Sequence, residues 1–518
     1  MSCAVVAPDT KANINMGKTV VDLVHSIPDQ WHGRTLYTSR EGRMTYGETR
    51  GSMLRVARWL AEQHAVRAGQ RIAVCLPTGL AAVQLVLGIL AAGAAYLPLQ
   101  FNGPPERLAS TLNNAEPHLL ITTRAIERRL KQAAAFRFPC PVVTIETGPN
   151  EFLDFLAGVS PLAKPVPVDP GSLAAIFFTS GSTGEPKGVM MSYATMTTNF
   201  ADFTGIASLN ENDRIIMLAP LHYVSSIGLF YPLLTGCRSF IASEEEALFP
   251  EVVAGILETE KITVWEGAVT RLRHVIESGR LETRNLEAMR HIEFFGEPMP
   301  IHSLRAGLEF FPNARFRNGY GTSEAFWLTG FDVPRDVPPP LEGLPIGRSH
   351  PLYEVSLCDE DGTPVASGEV GEICAVGPVA SIGYWKQPDQ TLAARLNGIP
   401  NSHRTGDLAR LGDDGNYHFV GRRDHRVKIR GHRFELGEIE AVLKAHRSVR
   451  DAAAFLIGGE VKACVLAAGY QGLAGELAAV CASRLPVFAR PSQMKIMASF
   501  PQLPSGKLDR MELKNCWA

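Results

Sequence analysis

Leu173 to Phe178 are six consecutive apolar residues, and they run directly into Thr179-Ser-Gly-Ser-Thr-Gly-Glu-Pro-Lys-Gly188. A short apolar run bounded by turn residues predicts a buried strand. The loop after it has the composition of an anion cradle. Its three glycines let the backbone approach an anion and aim N–H groups at it. Its hydroxyls add donors, and Lys187 adds a full charge. The spacing does not satisfy G-x-x-x-x-G-K-[ST], so this is not that nucleotide loop. A Gly/Ser linker without function rarely follows a buried strand. Phosphate binding is therefore the reading, although the loop alone does not separate a kinase from a ligase.

The surrounding chain fits such a strand into an α/β fold. Arg71 to Leu76, Ala95 to Leu99, Leu119 to Thr122 and Val142 to Ile145 read as strands, with a helix from Leu80 to about Gly93 between the first two. This alternation is the mark of α/β layers. Leu80 to Leu99 has the length of a membrane span, but Gln84, Gly88 and Gly93 interrupt it, and a buried helix running into a strand explains it better. Pro161 to Pro170 is a connector and Val337 to Pro340 a turn. Gly362 to Gly415 reads as a β-rich subdomain. A smaller α/β unit starts after Asp424, with a helix near Glu435 to Ala445. At 518 residues, two or more domains are expected. The net charge of −2 argues against a broad nucleic-acid surface. The nine cysteines are scattered without C-x-x-C spacing, so neither a zinc site nor a disulfide framework is expected. Residues 1–18 lack the pattern of a signal peptide, and a cytoplasmic location is expected.

Further blocks follow the loop in order: Asn318-Gly-Tyr-Gly-Thr-Ser-Glu324, Gly371 to Tyr384, Arg404-Thr-Gly-Asp407, Gly421-Arg-Arg-Asp-His-Arg-Val-Lys-Ile-Arg-Gly431 and Pro504-Ser-Gly-Lys-Leu-Asp-Arg510. Together with the loop they resemble the signature blocks of the adenylate-forming superfamily, which includes acyl-CoA synthetases, luciferases and the adenylation domains of nonribosomal peptide synthetases. The match spans about residues 45 to 510. The resemblance implies a large N-terminal multi-subdomain α/β domain (two βαβ sheets plus the β-rich subdomain), residues 1–423. A small mobile α+β lid, residues 424–518, would follow. ATP and a small carboxylic acid would bind between them.

Carried over by motif, Tyr320 would border the adenine, with Gly321 and Thr322 beside it. Asp407 would accept from the ribose, and Arg422 would approach the ribose or its phosphate. Glu324 would hold Mg²⁺, a hard cation suited to carboxylate oxygen. Thr179, Ser180, Gly181, Ser182, Thr183, Gly184 and Lys187 would surround the phosphates. Lys507 would reach in from the lid, and Asp424 would be the hinge about which the lid turns between two half-reactions. The chemistry calls for such cations, because a carboxylate must attack the α-phosphorus of an anion. No general base is needed, since the acid is already ionised at pH 7.

The segment Val427 to Glu440 is more similar to peptide-synthetase adenylation domains than to acyl-CoA synthetases. The sequence ends eight residues past Arg510 without an attachment serine in a carrier segment. A free-standing enzyme that loads a separate carrier protein is expected, in natural-product biosynthesis. An acid–CoA ligase is the alternative, and a catalytically silent nucleotide-binding module is the alternative of another class. In the amino-acid-activating members an Asp pairs with the α-ammonium; here Tyr223 of Pro220-Leu-His-Tyr-Val-Ser-Ser226 takes its place. A simple α-amino acid is therefore not expected; a non-α-amino acid or an aryl acid is. His222, Tyr223, Ile227, Glu266, Glu293, Phe295, Gly319, Trp327 and Leu328 are expected around the acid. Two carboxylates there would be costly unless paired, so Glu266 and Glu293 either meet a basic group remote from the α-carbon or point elsewhere.

Overall fold

Short apolar segments spaced by amphipathic helices assemble into two large sheets. The computed structural model describes residues 18–517, except 134–135, 149–150, 180–186, 337–343, 379, 423–425, 430–431, 469–471 and 502–507. In the first sheet Arg71–Cys75 lies parallel to both Ala95–Pro98 and Leu119–Thr122. Leu173–Thr179 joins beyond Ala95–Pro98, and Lys187–Ser192 returns antiparallel to it. The helix Leu80–Ala91 is buried at every position, which is why its sequence is apolar all round. Among the described residues no helix is long and apolar enough to cross a membrane.

The second sheet has nine strands. Four of them, Arg214–Met217, Val264–Ala268, His291–Phe295 and Arg315–Thr322, run parallel in that order. Phe326–Val333 folds back antiparallel on the last. The carboxyl ends of the four strands therefore open on one side, where α/β sheets bind ligands. Glu354–Cys358, Val370–Val376, Ser402–Leu411 and Tyr417–Arg422 form a four-stranded antiparallel sheet, matching the β-rich reading of this region.

Beyond it, the strands Arg426–Ile429 and His432–Glu435 pair as a hairpin. The helix Leu436–Lys444 and a three-stranded sheet follow. This C-terminal unit has its own core, built around Ile439, Leu443, Val465 and Leu477.

Candidate active site

The phosphate loop springs from an antiparallel ladder in which Thr179 and Lys187 are direct partners. The Thr179 hydroxyl donates to the Lys187 carbonyl at 3.5 Å. Both residues thus stand at the mouth of the loop, with Lys187 buried. Ser180, Gly181, Ser182, Thr183 and Gly184 lie outside the described residues, as do Asp424 and Lys507.

Tyr320 and Asp407 come from different sheets and meet: the Tyr320 hydroxyl donates to Asp407 Oδ2 at 2.7 Å. Asp407 also orders its own turn, its N–H donating to Thr405 Oγ1 at 3.0 Å. Arg404 turns the other way and grips the Glu372 carboxylate at 2.7 and 3.0 Å. Glu372 in turn accepts from the Gly406 N–H at 2.8 Å. The R-T-G-D turn is thus clamped from behind, leaving Asp407 on the cavity side. Arg422 is the ladder partner of Asp407; its side chain lies outside the described residues. Glu324 is buried, and its carboxylate accepts from Tyr384 Oη at 2.9 Å and lies 3.9 Å from His403 Nε2. A carboxylate is the ligand type that Mg²⁺ takes, one or two at a time, completing its shell with phosphate and water.

One cavity of about 1360 Å³ joins Thr179, Tyr320 and Asp407, though not Lys187 or Glu324, to the predicted acid residues. Thr179, Tyr320, Gly321, Thr322 and Asp407 line it, as do His222, Tyr223, Ile227, Glu266, Phe295, Gly319 and Trp327. Phe295 and Trp327 meet edge to face, with centroids 5.2 Å apart. Two expected lining residues do not reach it. Leu328 is fully buried; strand alternation turns it away from the face on which Trp327 stands. Glu293 is also fully buried. Its Oε1 is 3.4 Å from Arg317 Nη1 and its Oε2 is 3.2 Å from His291 Nε2. The protein pairs this carboxylate internally, and Gly319 leaves the room: a Cβ there would fall 2.6 Å from both Glu293 Oε1 and the Trp327 ring.

Glu266 differs. It lines the cavity, and burial lifts its carboxyl to about 8. Tyr223 reaches the C-terminal unit, where its hydroxyl meets His432 Nδ1. His432 stacks on Phe488 with centroids 3.9 Å apart, and Arg107 pairs with Glu438 nearby. Burial first, then Arg271, holds His432 down at about 4. Burial first, then His432 and Arg107, holds His222 at about 3.

Tyr384, Tyr231 and His432 escape a reading by motif. Tyr384 closes the Gly-rich block but carries no local mark of its partner, which lies 60 residues earlier. Tyr231 and His432 act through contacts between segments distant in sequence.

The family described as AMP-binding enzyme matches residues 25–385, and its C-terminal domain matches residues 438–507. The chain belongs to this family of adenylate-forming ligases. It is 29% identical over 452 residues to L-proline--[L-prolyl-carrier protein] ligase of Pseudomonas fluorescens, covering 86% of this chain and 89% of that one. It is 31% identical over 470 residues to the dimodular nonribosomal peptide synthase of Bacillus subtilis, covering 89% of this chain but only 19% of that protein's length. The amide bond synthetase of Marinactinospora thermotolerans shares the fold, with a TM-score of 0.83, 23% identity and coverage of 96% and 100% of the two chains.

Proposed function

We propose that the enzyme condenses a small carboxylic acid with ATP to give an acyl-adenylate and pyrophosphate, then transfers the acyl group to the phosphopantetheine thiol of a separate carrier protein. In the first step a carboxylate oxygen forms the bond to the α-phosphorus as the bond to pyrophosphate breaks. In the second the thiol sulfur takes the acyl carbon, AMP leaves, and the thiol proton is released. The single observation carrying this reading is the continuous cavity that places Asp407, Tyr320 and Thr179 in one space with Glu266, Phe295 and Trp327.

In this reading Asp407, oriented by Tyr320, accepts from the ribose. Thr179 and Lys187 flank the pyrophosphate. Lys507 supplies the cation that offsets the approach of two anions, and Asp424 is the hinge of the lid. Glu324, steadied by Tyr384, would hold Mg²⁺, which when bound neutralises phosphate charge. The acid is not a simple α-amino acid, because Tyr223 offers no carboxylate to an α-ammonium. The carrier acceptor is supported by the likeness to a prolyl-carrier protein ligase.

ATP–pyrophosphate exchange across an acid library tests the first step. Thioester formation with a phosphopantetheinylated carrier or with CoA tests the second. Exchange followed by loading of the carrier is expected. Thioester formed with CoA alone would make the enzyme an acid–CoA ligase. No exchange with any acid would leave a nucleotide-binding module.

A further inference from the structure

Glu266 and Glu293 are register partners on adjacent parallel strands, so their side chains share one face of the sheet. Glu293 is itself in register with Arg317 on the next strand. The row thus runs Glu266, Glu293, Arg317, and its one cation is spent on Glu293 at 3.4 Å. Glu266 stands at the open end of the row. Among the described residues it has no cationic partner in an ion pair. The Tyr231 ring lies beside it: a Cβ on Gly228 would fall 3.1 Å from both Tyr231 Cε2 and Glu266 Oε2.

Space is reserved around this carboxylate. A Cβ on Gly228 would stand 3.1 Å from Glu266 Oε2 and 2.9 Å from Met217 Cε. Glu266 is only half-buried, and it lines the cavity, flanked there by Ile227, Phe295 and Trp327. A half-buried carboxylate against apolar side chains and without a cation is costly to ionise, and burial raises its carboxyl to about 8. An incoming ammonium would remove it.

We propose that Glu266 is the receptor for a cationic amine on the acid substrate, and that the substrate is a β- or γ-amino acid. The proposal rests on the adenylating function above and adds the substrate class to it. With the carboxylate directed at ATP, the ammonium must sit deeper in the cavity than an α-substituent reaches. Tyr223, without charge at the usual α-ammonium position, completes that discrimination.

The test is pyrophosphate exchange with isosteric pairs in which a methyl replaces the ammonium: 3-amino-3-phenylpropanoate against 3-phenylbutanoate, 3-aminobutanoate against 3-methylbutanoate, and 4-aminobutanoate against pentanoate. The wild type is expected to prefer an amine by at least about 10²-fold in kcat/KM, the scale on which a polar site rejects an analogue lacking its partner. Glu266→Gln should bring the pair within about tenfold in kcat/KM. Glu266→Asp should restore part of the preference. Equal use of amine and isostere by the wild type overturns the proposal and leaves adenylation intact, whatever the stability of the variants. A preference that survives in Glu266→Gln also overturns it. Exchange with no acid at all, charged or neutral, removes the adenylating function and the proposal with it.

Discussion

Replacing Glu293 by Gln should damage stability rather than acid recognition. The carboxylate is fully buried, and Arg317, whose side chain is only 10% exposed, depends on it at 3.4 Å. Breaking one side of a buried ion pair costs about 3–5 kcal/mol, because the remaining charge is stranded. Arg317 retains a second contact, 3.8 Å from the more exposed Asp332, which places the cost near the lower end, at about 3 kcal/mol. With an unfolding entropy of about 2.1 cal/mol/K per residue over roughly 400 residues, that loss lowers the thermal midpoint by about 4 °C. Differential scanning calorimetry reads the midpoint. Pyrophosphate exchange below it reads selectivity, which should match the wild type. Adding Arg317→Met to Glu293→Leu should recover part of the midpoint, since it removes both charges and leaves only the buried His291 ring without its partner. A Glu293→Gln protein with an unchanged midpoint but a raised KM for the acid would refute this reasoning and return Glu293 to the substrate.

Gly319→Ala should raise the KM for the acid and leave that for ATP within about twofold, because its Cβ would press Trp327 from 2.6 Å toward the cavity; overpacking of this kind also costs about 1–3 kcal/mol, and an unaltered acid KM would count against it. Tyr384→Phe removes the hydroxyl that holds Glu324 at 2.9 Å. Such a hydrogen bond to a charged group is worth about 1.5–3 kcal/mol, so kcat/KM for Mg-ATP should fall roughly tenfold or more, with acid selectivity unchanged in exchange assays. His222 and His432, held at about 3 and about 4, stay neutral in the folded protein while the unfolded chain protonates them near 6.5. Their stabilisation is therefore complete above pH 6.5 and is lost as pH falls toward 4. Denaturant midpoints measured from pH 7 to 4.5 should show that loss, and a His222→Gln/His432→Gln protein should show a shallower one.

The strand-and-loop punctuation was legible because each signal is local. Leu173 to Phe178 has the length and apolarity of a buried strand, and the structure has one at Leu173–Thr179. Leu80–Ala91 is likewise a buried helix and not a span. The pairing of side chains across strands was not legible. Nothing in the sequence brings Tyr320 to Asp407, 87 residues on, or Tyr223 to His432, 209 residues on, because those contacts are made by sheet order and by docking of the C-terminal unit.

The two acid-pocket glutamates show where that boundary lies. Both stand at the middle of parallel strands, they are register partners, and periodicity gives them the same face. Whatever separates them must come from a third strand. Arg317 is opposite Glu293, and Gly319, two residues further on the same face, has no side chain to fill the space that Glu293 and Trp327 then occupy. A long cation followed by a missing side chain therefore draws one carboxylate inward and shuts it off from the cavity. Glu266 has no such strand partner, because its other neighbour, Arg214–Met217, pairs only through Ile215 and Ile216. The sheet therefore supplies a cation to Glu293 and none to Glu266, and Glu266 is the one that faces the cavity.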